Sequence, residues 1–460
     1  MTSTQVAGSF RDPGGFVFIV DGVVHRQVNE RARDDYDLLH TSGLYDALVE
    51  RRLLVAHEEV DVPAPRPGAY RVIRPQQIPF VSYPYEWCFG QLKDAALATL
   101  DIQLLALDHG MTLRDASAYN IQFLEGRPVL IDTLSFGPRR DGEPWVAYRQ
   151  FCQHFLAPLA LMALVDVRLG QLARVHIDGI PLDLASTLLP GATRLRPGLG
   201  VHIHAHARSQ QRPAGDASRG RSPPPAKAVS DRALRGLVDN LRATVSRLEW
   251  WPPATEWRDY YAGDSYSEEA FARKGELVAA MVERVAPRSV WDLGANTGHF
   301  SRIAAAGGAH TVAFDIDPAA VQLGYDEVKK HGDTRILPLV LDLTNPSPAI
   351  GWANAERATL AQRGPVDLVL ALALIHHLAI SNNVPLGRIA AYFAELAPAL
   401  VIEFVPKSDA KVRTLLASRE DIFDDYTQDG FEAAFSALYD IEDRQPVPGS
   451  ERTLYLLRRR

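Results

Sequence analysis

Cysteine is scarce in this sequence of 460 residues, which contains only Cys88 and Cys152. There is no CxxC pair and no Cys/His spacing typical of a metal site, so the sequence argues against a disulfide framework and against a structural zinc ion. Such low cysteine content is typical of proteins from reducing compartments. We therefore expect a cytoplasmic protein.

Long hydrophobic runs are also missing. The longest apolar stretch, FLAPLALMALVDV at 155–167, is too short to span a bilayer and contains Asp166. The first residues lack the basic and apolar regions of a secretory signal. We predict a buried helix at 155–167 and no transmembrane segment. The formal net charge of −7 leaves no basic surplus, which argues against a nucleic-acid partner.

One segment lacks large apolar residues. Residues 207–230 are rich in Pro, Ser, Gly, Ala and Arg, and such a stretch cannot offset its ordering entropy by burial. We predict a flexible linker here, between an N-terminal α+β domain (1–206) and a second domain (231–460). Just before it, His202, His204 and His206 follow the period of a strand. They fit either a metal site on one strand face or, as we favour, a polar strand edge.

After the linker, short apolar segments alternate with helical patterns. Segments that end in DLG, FDI, LDL, LALAL and IEFV read as strands separated by helices, and the chain closes with a helix and a hairpin. Buried strands that alternate with helices indicate a parallel sheet covered on both faces. The fold class is therefore α/β, with a doubly wound Rossmann-like sheet in the second domain.

The segment VWDLGANTGHF, residues 290–300, forms a tight bend between a strand and a helix. Asp292 ends the strand, and the bend contains Gly294, Asn296, Thr297 and Gly298. Glycine and asparagine tolerate positive φ, and the following helix N-terminus faces the ligand. His299 follows Gly298 where a P-loop needs Lys, and the spacing differs from GxGxxG, so neither nucleotide motif fits. An acid here would repel a pyrophosphate but suits a cationic ligand.

This bend resembles motif I of class I methyltransferases that use S-adenosylmethionine (SAM), with Asn296 in place of the middle glycine. The resemblance implies that Asp315, which ends the second strand, holds the ribose hydroxyls, and that Asp342, which ends the third, contacts the adenine amine. Ala371, in the fourth strand, would adjoin the cofactor. Ala371-Leu-Ala also stands where DNA amino-methyltransferases carry a polar residue and two prolines, which argues against DNA as a substrate.

Other residues of this domain are candidates for binding and catalysis. Lys274 is a candidate partner for the carboxylate of SAM. His376, His377 and Glu403 follow or end strands at the rim where such sheets bind substrate, and each is a candidate general base. Plain packing or capping is the alternative for each. Aromatic residues could roof the cofactor by cation–π contact or pack as a lid; they are Trp257, Tyr260, Tyr261 and Tyr266.

The N-terminal half contains a second set of candidate functional residues. Asp115, Asn120 and Asp132 form an acid, amide, acid series on a loop and hairpin, the pattern of a base and two Mg²⁺ ligands for phosphoryl transfer. It resembles the catalytic loop of kinase-like phosphotransferases, which implies ATP and Mg²⁺. The lysine expected on the third strand is missing, since none precedes Lys93, and Arg26 or Arg74 would have to replace it. The alternative is that the three residues only order turns.

The whole chain outside the linker resembles a bacterial family of large methyltransferases that includes nodulation host-specificity proteins, through DASAYNIQF, RQFCQHFLAPLALM, WDLGANTG and IHHLAISNN. The resemblance implies SAM-dependent methylation of an oxygen or nitrogen of a small molecule or glycan intermediate. Two alternatives stay open: a bifunctional kinase-methyltransferase, and a SAM-binding scaffold without catalysis. A protein substrate also stays open.

Overall fold

The computed structural model describes residues 3–210, 228–252, 268–417 and 419–460. The chain divides into two units, 1–251 with 350–357, and 252–349 with 358–460. The helix at 231–246, which the predicted boundary placed in the second domain, is grouped with the first unit. Trp257, Tyr260, Tyr261 and Tyr266, together with most of the predicted linker, lie outside the described residues.

The first unit begins with an antiparallel sheet of order β1-β2-β3-β5-β4. Two small hairpin-like sheets, β6 with β9 and β7 with β8, follow in the chain. The strands are β1 Ser3–Gln5, β2 Gly15–Val20, β3 Val23–Asn29, β4 His57–Glu59, β5 Ala69–Pro75, β6 Met111–Leu113, β7 Ile121–Leu124, β8 Arg127–Leu130 and β9 Phe136–Pro138.

Helices make up the rest of the first unit. They are α1 Arg33–Thr41, α2 Leu44–Glu50, α3 Phe89–Asp108, α4 Tyr148–Phe151, α5 Ala157–Leu164, α6 Leu172–Val175, α7 Leu182–Leu188, α8 Pro197–Leu199, α9 His206–Gln210 and α10 Asp231–Ser246. The apolar run at 155–167 is largely buried and lies mostly in α5, as predicted. No helix within the described ranges combines the length and the apolarity needed to cross a membrane.

The prediction of a strand for the three histidines was wrong. Gly200–Ala205 is a wide helical turn that continues into α9. Both ring nitrogens of His202 are hydrogen-bonded at 2.8 Å, to the Tyr148 hydroxyl and to Asn240. Both ring nitrogens of His204 lie 2.8 Å from hydroxyls, those of Ser186 and Thr193. These two imidazoles are therefore engaged in packing the helical turn, and in the described part of the chain no three His, Cys, Asp or Glu side chains gather as metal ligands.

The second unit contains a seven-stranded sheet of order β12-β11-β10-β13-β14-β16-β15. Its strands are β10 Ser289–Leu293, β11 His310–Asp315, β12 Ile336–Val340, β13 Leu368–Ala371, β14 Ala399–Phe404, β15 Tyr439–Pro446 and β16 Thr453–Arg459. The first five are parallel, and β16 runs antiparallel between β14 and β15. Its helices are α11 Glu268–Val285, α12 His299–Ala306, α13 Pro318–His331, α14 Leu386–Leu396, α15 Ala410–Leu416 and α16 Gln428–Ser436.

This sheet is the doubly wound Rossmann-like sheet that the sequence predicts. All residues of β13 and β14 are buried, because a parallel sheet with helices on both faces exposes neither side of its central strands. Trp291 on β10 packs edge-to-face against Phe314 on β11, with ring centroids 5.7 Å apart. The chain runs from β10 outward to β12 and then crosses back to β13 on the other side of β10, so a topological switch point lies between β10 and β13.

Candidate functional site

A cavity of about 320 Å³ opens at the carboxyl ends of these parallel strands. It is lined by segments that follow four neighbouring strands, and its charged lining residues are one lysine and three acids, Lys274, Asp292, Asp315 and Asp342. Apolar side chains form most of the remaining wall: Phe300, Phe314, Ile316, Leu341, Leu343, Leu372, Leu374, Leu378 and Leu415. A concave, largely apolar site with a few polar groups is what a small organic ligand requires.

The bend after β10 has the backbone that its sequence predicts. Gly294, Asn296 and Gly298 have φ angles of +80°, +53° and +82°, a region that glycine and asparagine adopt most readily. The amides of Gly294 and Ala295 both donate to the Phe314 carbonyl at 2.9 Å. Gly294 and Asn296 line the cavity, whereas Thr297 and Gly298 are not among its lining residues. They instead lead the chain into α12.

Asp315 joins this bend to the second strand. Its carboxylate accepts hydrogen bonds from the amides of Asn296 and Asp317 at 2.7 and 2.9 Å. Burial raises the pKa of Asp315 to about 6, although these backbone bonds act in the opposite direction. Asp342 lines the cavity one strand further, and its carboxylate accepts from the Thr344 amide at 2.8 Å and hydroxyl at 2.6 Å. Both acids therefore hold fixed orientations at the cavity wall.

Asp292 is a buried acid at the centre of the site, with 2% of its surface exposed. The Ser301 hydroxyl donates to its carboxylate at 2.6 Å. Burial raises the pKa of Asp292 to about 7, and the nearby Asp315 contributes in the same direction. A positively charged ligand beside Asp292 would favour its ionised form.

Lys274 lines the cavity but is already paired. Its Nζ lies 2.7 Å from Oε2 of Glu403 on β14, and both side chains are almost fully buried. Arg452 lies 4.0 Å from the same oxygen and also binds Asp409 at 2.8 Å. Burial lowers the pKa of Lys274, while Glu403 acts to raise it. Glu403 itself is not among the residues that line the cavity, so its place in the structure is that of a charge partner for Lys274.

The two histidines after β13 differ in position. His377 lines the cavity, whereas His376 does not; their ring centroids are 4.1 Å apart. Burial lowers the pKa of His377 to about 4 and that of His376 well below its ordinary value. His377 is therefore a neutral imidazole at neutral pH. His376 is fully buried, and neither ring nitrogen has a hydrogen-bond partner among the described residues.

Several lining residues were not predicted from the sequence. Ala371 is fully buried and does not line the cavity, but the next three residues, 372–374, do. Ile316 and Thr344 line it one and two residues beyond the predicted acids, and Ile316 is 56% exposed. These lining residues could have been predicted only from their position in the sequence, because residues that directly follow parallel strands lie at the edge of the sheet where ligands bind.

In the first unit, the structure brings the predicted kinase-like residues together. The Asp115 carboxylate accepts from the Ser117 amide and from Gln150 Nε2, and Asn120 also donates to it. Burial raises the pKa of Asp115. Asp132 accepts from the Ser135 hydroxyl at 2.8 Å. The same hydroxyl lies 3.5 Å from Asn120 Nδ2.

Arg26, on the third strand, is the basic residue that reaches this cluster. Its guanidinium contacts Asp132 Oδ1 at 2.6 Å and Asp12 at 3.4 Å, whereas Arg74 pairs with exposed Glu58. Oδ1 of Asp132 accepts from Arg26 and from the Leu134 amide, and Oδ2 accepts from Ser135. Both oxygens are thus already engaged within the chain, an arrangement that does not favour Mg²⁺, and we derive no metal-dependent step from it.

Comparison with known proteins gives a relative that aligns with almost the whole chain. The nodulation protein NoeA of Rhizobium meliloti (strain 1021) is 37% identical over 465 aligned positions, which cover 99% of this chain and 96% of NoeA. The chain belongs to the NoeA family. No protein-family model matches this NoeA-family chain.

Three similar solved structures each cover under half of the NoeA-family chain. The bifunctional kinase-methyltransferase WbdD matches with a TM-score of 0.29 and 17% identity, over 46% of this chain and 45% of WbdD. Magnesium protoporphyrin IX methyltransferase (ChlM) from Synechocystis PCC 6803, with bound SAH, matches with a TM-score of 0.31 and 17% identity, over 45% of this chain and 93% of ChlM. N-methyltransferase NodS from Bradyrhizobium japonicum WM9 matches with a TM-score of 0.31 and 11% identity, over 42% of this chain and 98% of NodS. With such low TM-scores, the fold assignment rests on strand order and direction instead.

Proposed function

We propose that the second unit is a SAM-dependent methyltransferase that acts on an oxygen or nitrogen of a small molecule or glycan intermediate. One observation carries the proposal: acids at the ends of three neighbouring parallel strands surround a left-handed bend in an apolar cavity at the switch point. A ligand with a cationic centre, hydroxyl groups and an aromatic base matches this set, because carboxylates accept from hydroxyl and amine groups and favour positive charge.

The cavity supports a role for each residue. Asp315 would hold the ribose hydroxyls and Asp342 the adenine amine, while Ile316 and Leu343 supply apolar contact beside them. Asp292 offers negative charge to the cationic part of the cofactor. Lys274 lines the cavity wall while it stays paired with Glu403, and its remaining N–H groups can donate to a carboxylate. Since its partner is fixed and buried, this ammonium is held in position before the ligand arrives.

Methyl transfer requires mainly that the acceptor and the methyl group are held in the correct relative position. Bound SAM supplies an electrophilic methyl group on a sulfonium. The apolar walls exclude water from the transfer and hold the acceptor in line. When the acceptor is a hydroxyl, a ring nitrogen of His377 takes up the proton that the acceptor loses. His377 suits this role better than His376, because His377 lines the cavity and His376 does not.

The experiment measures binding and transfer separately. Calorimetry with S-adenosylhomocysteine tests the cofactor site, with Asp315→Asn as the test variant and exposed Asp424→Asn as the matched control. Transfer of labelled methyl from SAM into fractionated cell extract tests catalysis, with and without ATP–Mg²⁺ and with Asp292→Ala as the blank. We expect binding to weaken at least tenfold in Asp315→Asn and remain unchanged in Asp424→Asn.

Each outcome separates the alternatives. Transfer without ATP supports the proposal. Transfer only with ATP–Mg²⁺ would favour the bifunctional kinase-methyltransferase. Binding of S-adenosylhomocysteine without any transfer would favour a non-catalytic scaffold, and absence of binding in the wild type would refute the cofactor assignment.

A further inference from the structure

A second cavity, of about 370 Å³, shares a wall with the first. Four residues line both cavities, Leu343, Thr344, Leu378 and Asn382. The second cavity is completed by the loop before α14 and by one face of that helix: Val384, Arg388, Ile389, Tyr392 and Phe393. The shared residues include the turn that directly follows His377. The two cavities are therefore adjacent, beside the turn that follows His377.

Two polar side chains of this second cavity, Thr344 and Asn382, donate to Asp342 and to the His377 carbonyl, whereas Arg388 and Tyr392 are not engaged in this way. Among the described residues, the Arg388 guanidinium makes no hydrogen bond or ion pair, although most arginines of the second unit pair with an acid or a carbonyl. The Tyr392 hydroxyl has no hydrogen-bond partner there either. Arg388 and Tyr392 stand four positions apart on α14, so they share a helix face. Within the part of the chain that the structure describes, Arg388 is the only charged residue that lines this cavity.

Arg388 is solvent-exposed, and its guanidinium at the edge of the cavity is available to an anionic ligand. Its fork of N–H donors matches carboxylate and phosphate oxygens, and charge-assisted hydrogen bonds of this kind are stronger than neutral ones. Arg388 also lies in the first turn of α14, where the helix dipole already favours negative charge. Leu378, Ile389 and Phe393 provide apolar surface beside it, which suits a carbon skeleton that bears the charge.

We propose that the methyl acceptor occupies this second cavity and carries a carboxylate, phosphate or sulfate group that Arg388 binds, with the Tyr392 hydroxyl as a further donor. The inference rests on the proposed methyltransferase function and deepens it by giving the substrate class. The acceptor is an anionic small molecule, such as an acidic or phosphorylated sugar, rather than a neutral one.

The test measures transfer of labelled methyl from SAM into fractionated cell extract, with the full-length chain as the enzyme. The labelled product should be retained by an anion-exchange resin at neutral pH and released by salt. Arg388→Gln should raise the KM for the acceptor fraction about tenfold or more, with a much smaller change in kcat, and Arg388→Lys should restore part of the loss. Tyr392→Phe should give a smaller rise in KM. Arg288→Gln, on an exposed residue outside both cavities, serves as the matched control.

Three results would overturn the inference. One is a labelled product that the resin does not retain, and another is unchanged kinetics in Arg388→Gln. The third is weaker binding of S-adenosylhomocysteine to Arg388→Gln, because the second cavity would then belong to the cofactor. These results leave the methyltransferase proposal standing, whereas a wild type that binds no S-adenosylhomocysteine refutes both. Treatment of the acceptor fraction with phosphatase separates the sources: loss of activity indicates phosphate, and retention indicates carboxylate or sulfate.

Discussion

The burial of Asp292, which lines the first cavity, leads to a measurable prediction about stability. Burial raises the pKa of Asp292 from 3.8 to about 7. Because the folded-state pKa is above the unfolded value, the folded protein keeps a proton that the unfolded chain has already released. The free energy of unfolding therefore falls as the pH rises between these values, and the stability is highest below the unfolded pKa.

The magnitude follows from the size of the shift. Each pKa unit corresponds to about 1.4 kcal/mol, so a shift of about three units lowers the stability by about 4 kcal/mol once the pH exceeds 7. Asp292→Asn removes the charge and retains an oxygen that accepts from Ser301. The variant should therefore be more stable than the wild type by about 4 kcal/mol at about pH 8, and much closer to it near pH 4, while losing affinity for SAM.

Urea unfolding of the ligand-free protein at several pH values between about 4 and 8 measures this difference. The exposed Asp424→Asn variant is the control, and its profile should parallel that of the wild type. Parallel profiles for Asp292→Asn and the wild type would refute the reasoning, since they would mean that Asp292 is ionised without penalty in the folded protein.

Three further predictions concern other parts of the molecule. Glu403→Leu leaves the Lys274 ammonium buried without its partner, so the variant should lose about 3–5 kcal/mol in urea unfolding. The double variant with Lys274→Met should recover most of this loss, and additive effects of the two changes would contradict the pairing. Asn296→Val places a β-branched residue at positive φ and should weaken S-adenosylhomocysteine binding in calorimetry, whereas Asn296→Gly should not. Because Arg26 occupies Asp132, ATP–Mg²⁺ should not change the melting temperature of the wild type; a rise that Asp132→Asn abolishes would show that the cluster does bind the nucleotide.

The sheet of the second unit could be predicted because its signals are local. Apolar strands alternate with helices from Ser289 onward, and the residue types at 292–298 specify a bend with positive φ whatever surrounds it. The acids Asp315 and Asp342 follow from the same logic, since a residue that ends a parallel strand lies at the ligand edge of the sheet. These features depend on residues close together in the chain.

The helical turn at 200–205 shows where local pattern fails. Histidines at every second position have the period of a strand, but His202 and His204 are buried in a helical turn by hydrogen bonds to Tyr148, Ser186, Thr193 and Asn240. The histidines do recur at every second position, but hydrogen bonds to residues distant in the chain stabilise a helical turn instead of a strand. In the same way, only the folded chain distinguishes Arg26, which binds Asp132, from Arg74, which lies on the surface.

By itself, the sequence determined the order of strands and helices in the second unit, the left-handed bend and the acids at the ends of the strands. Tertiary structure alone decided which of these groups meet. Lys274 and Glu403 are 129 positions apart in the chain, and the second cavity forms only where α14 faces the residues after β12. Such contacts could not be read from the pattern, because periodicity reports which face of an element is buried and not which distant element covers it.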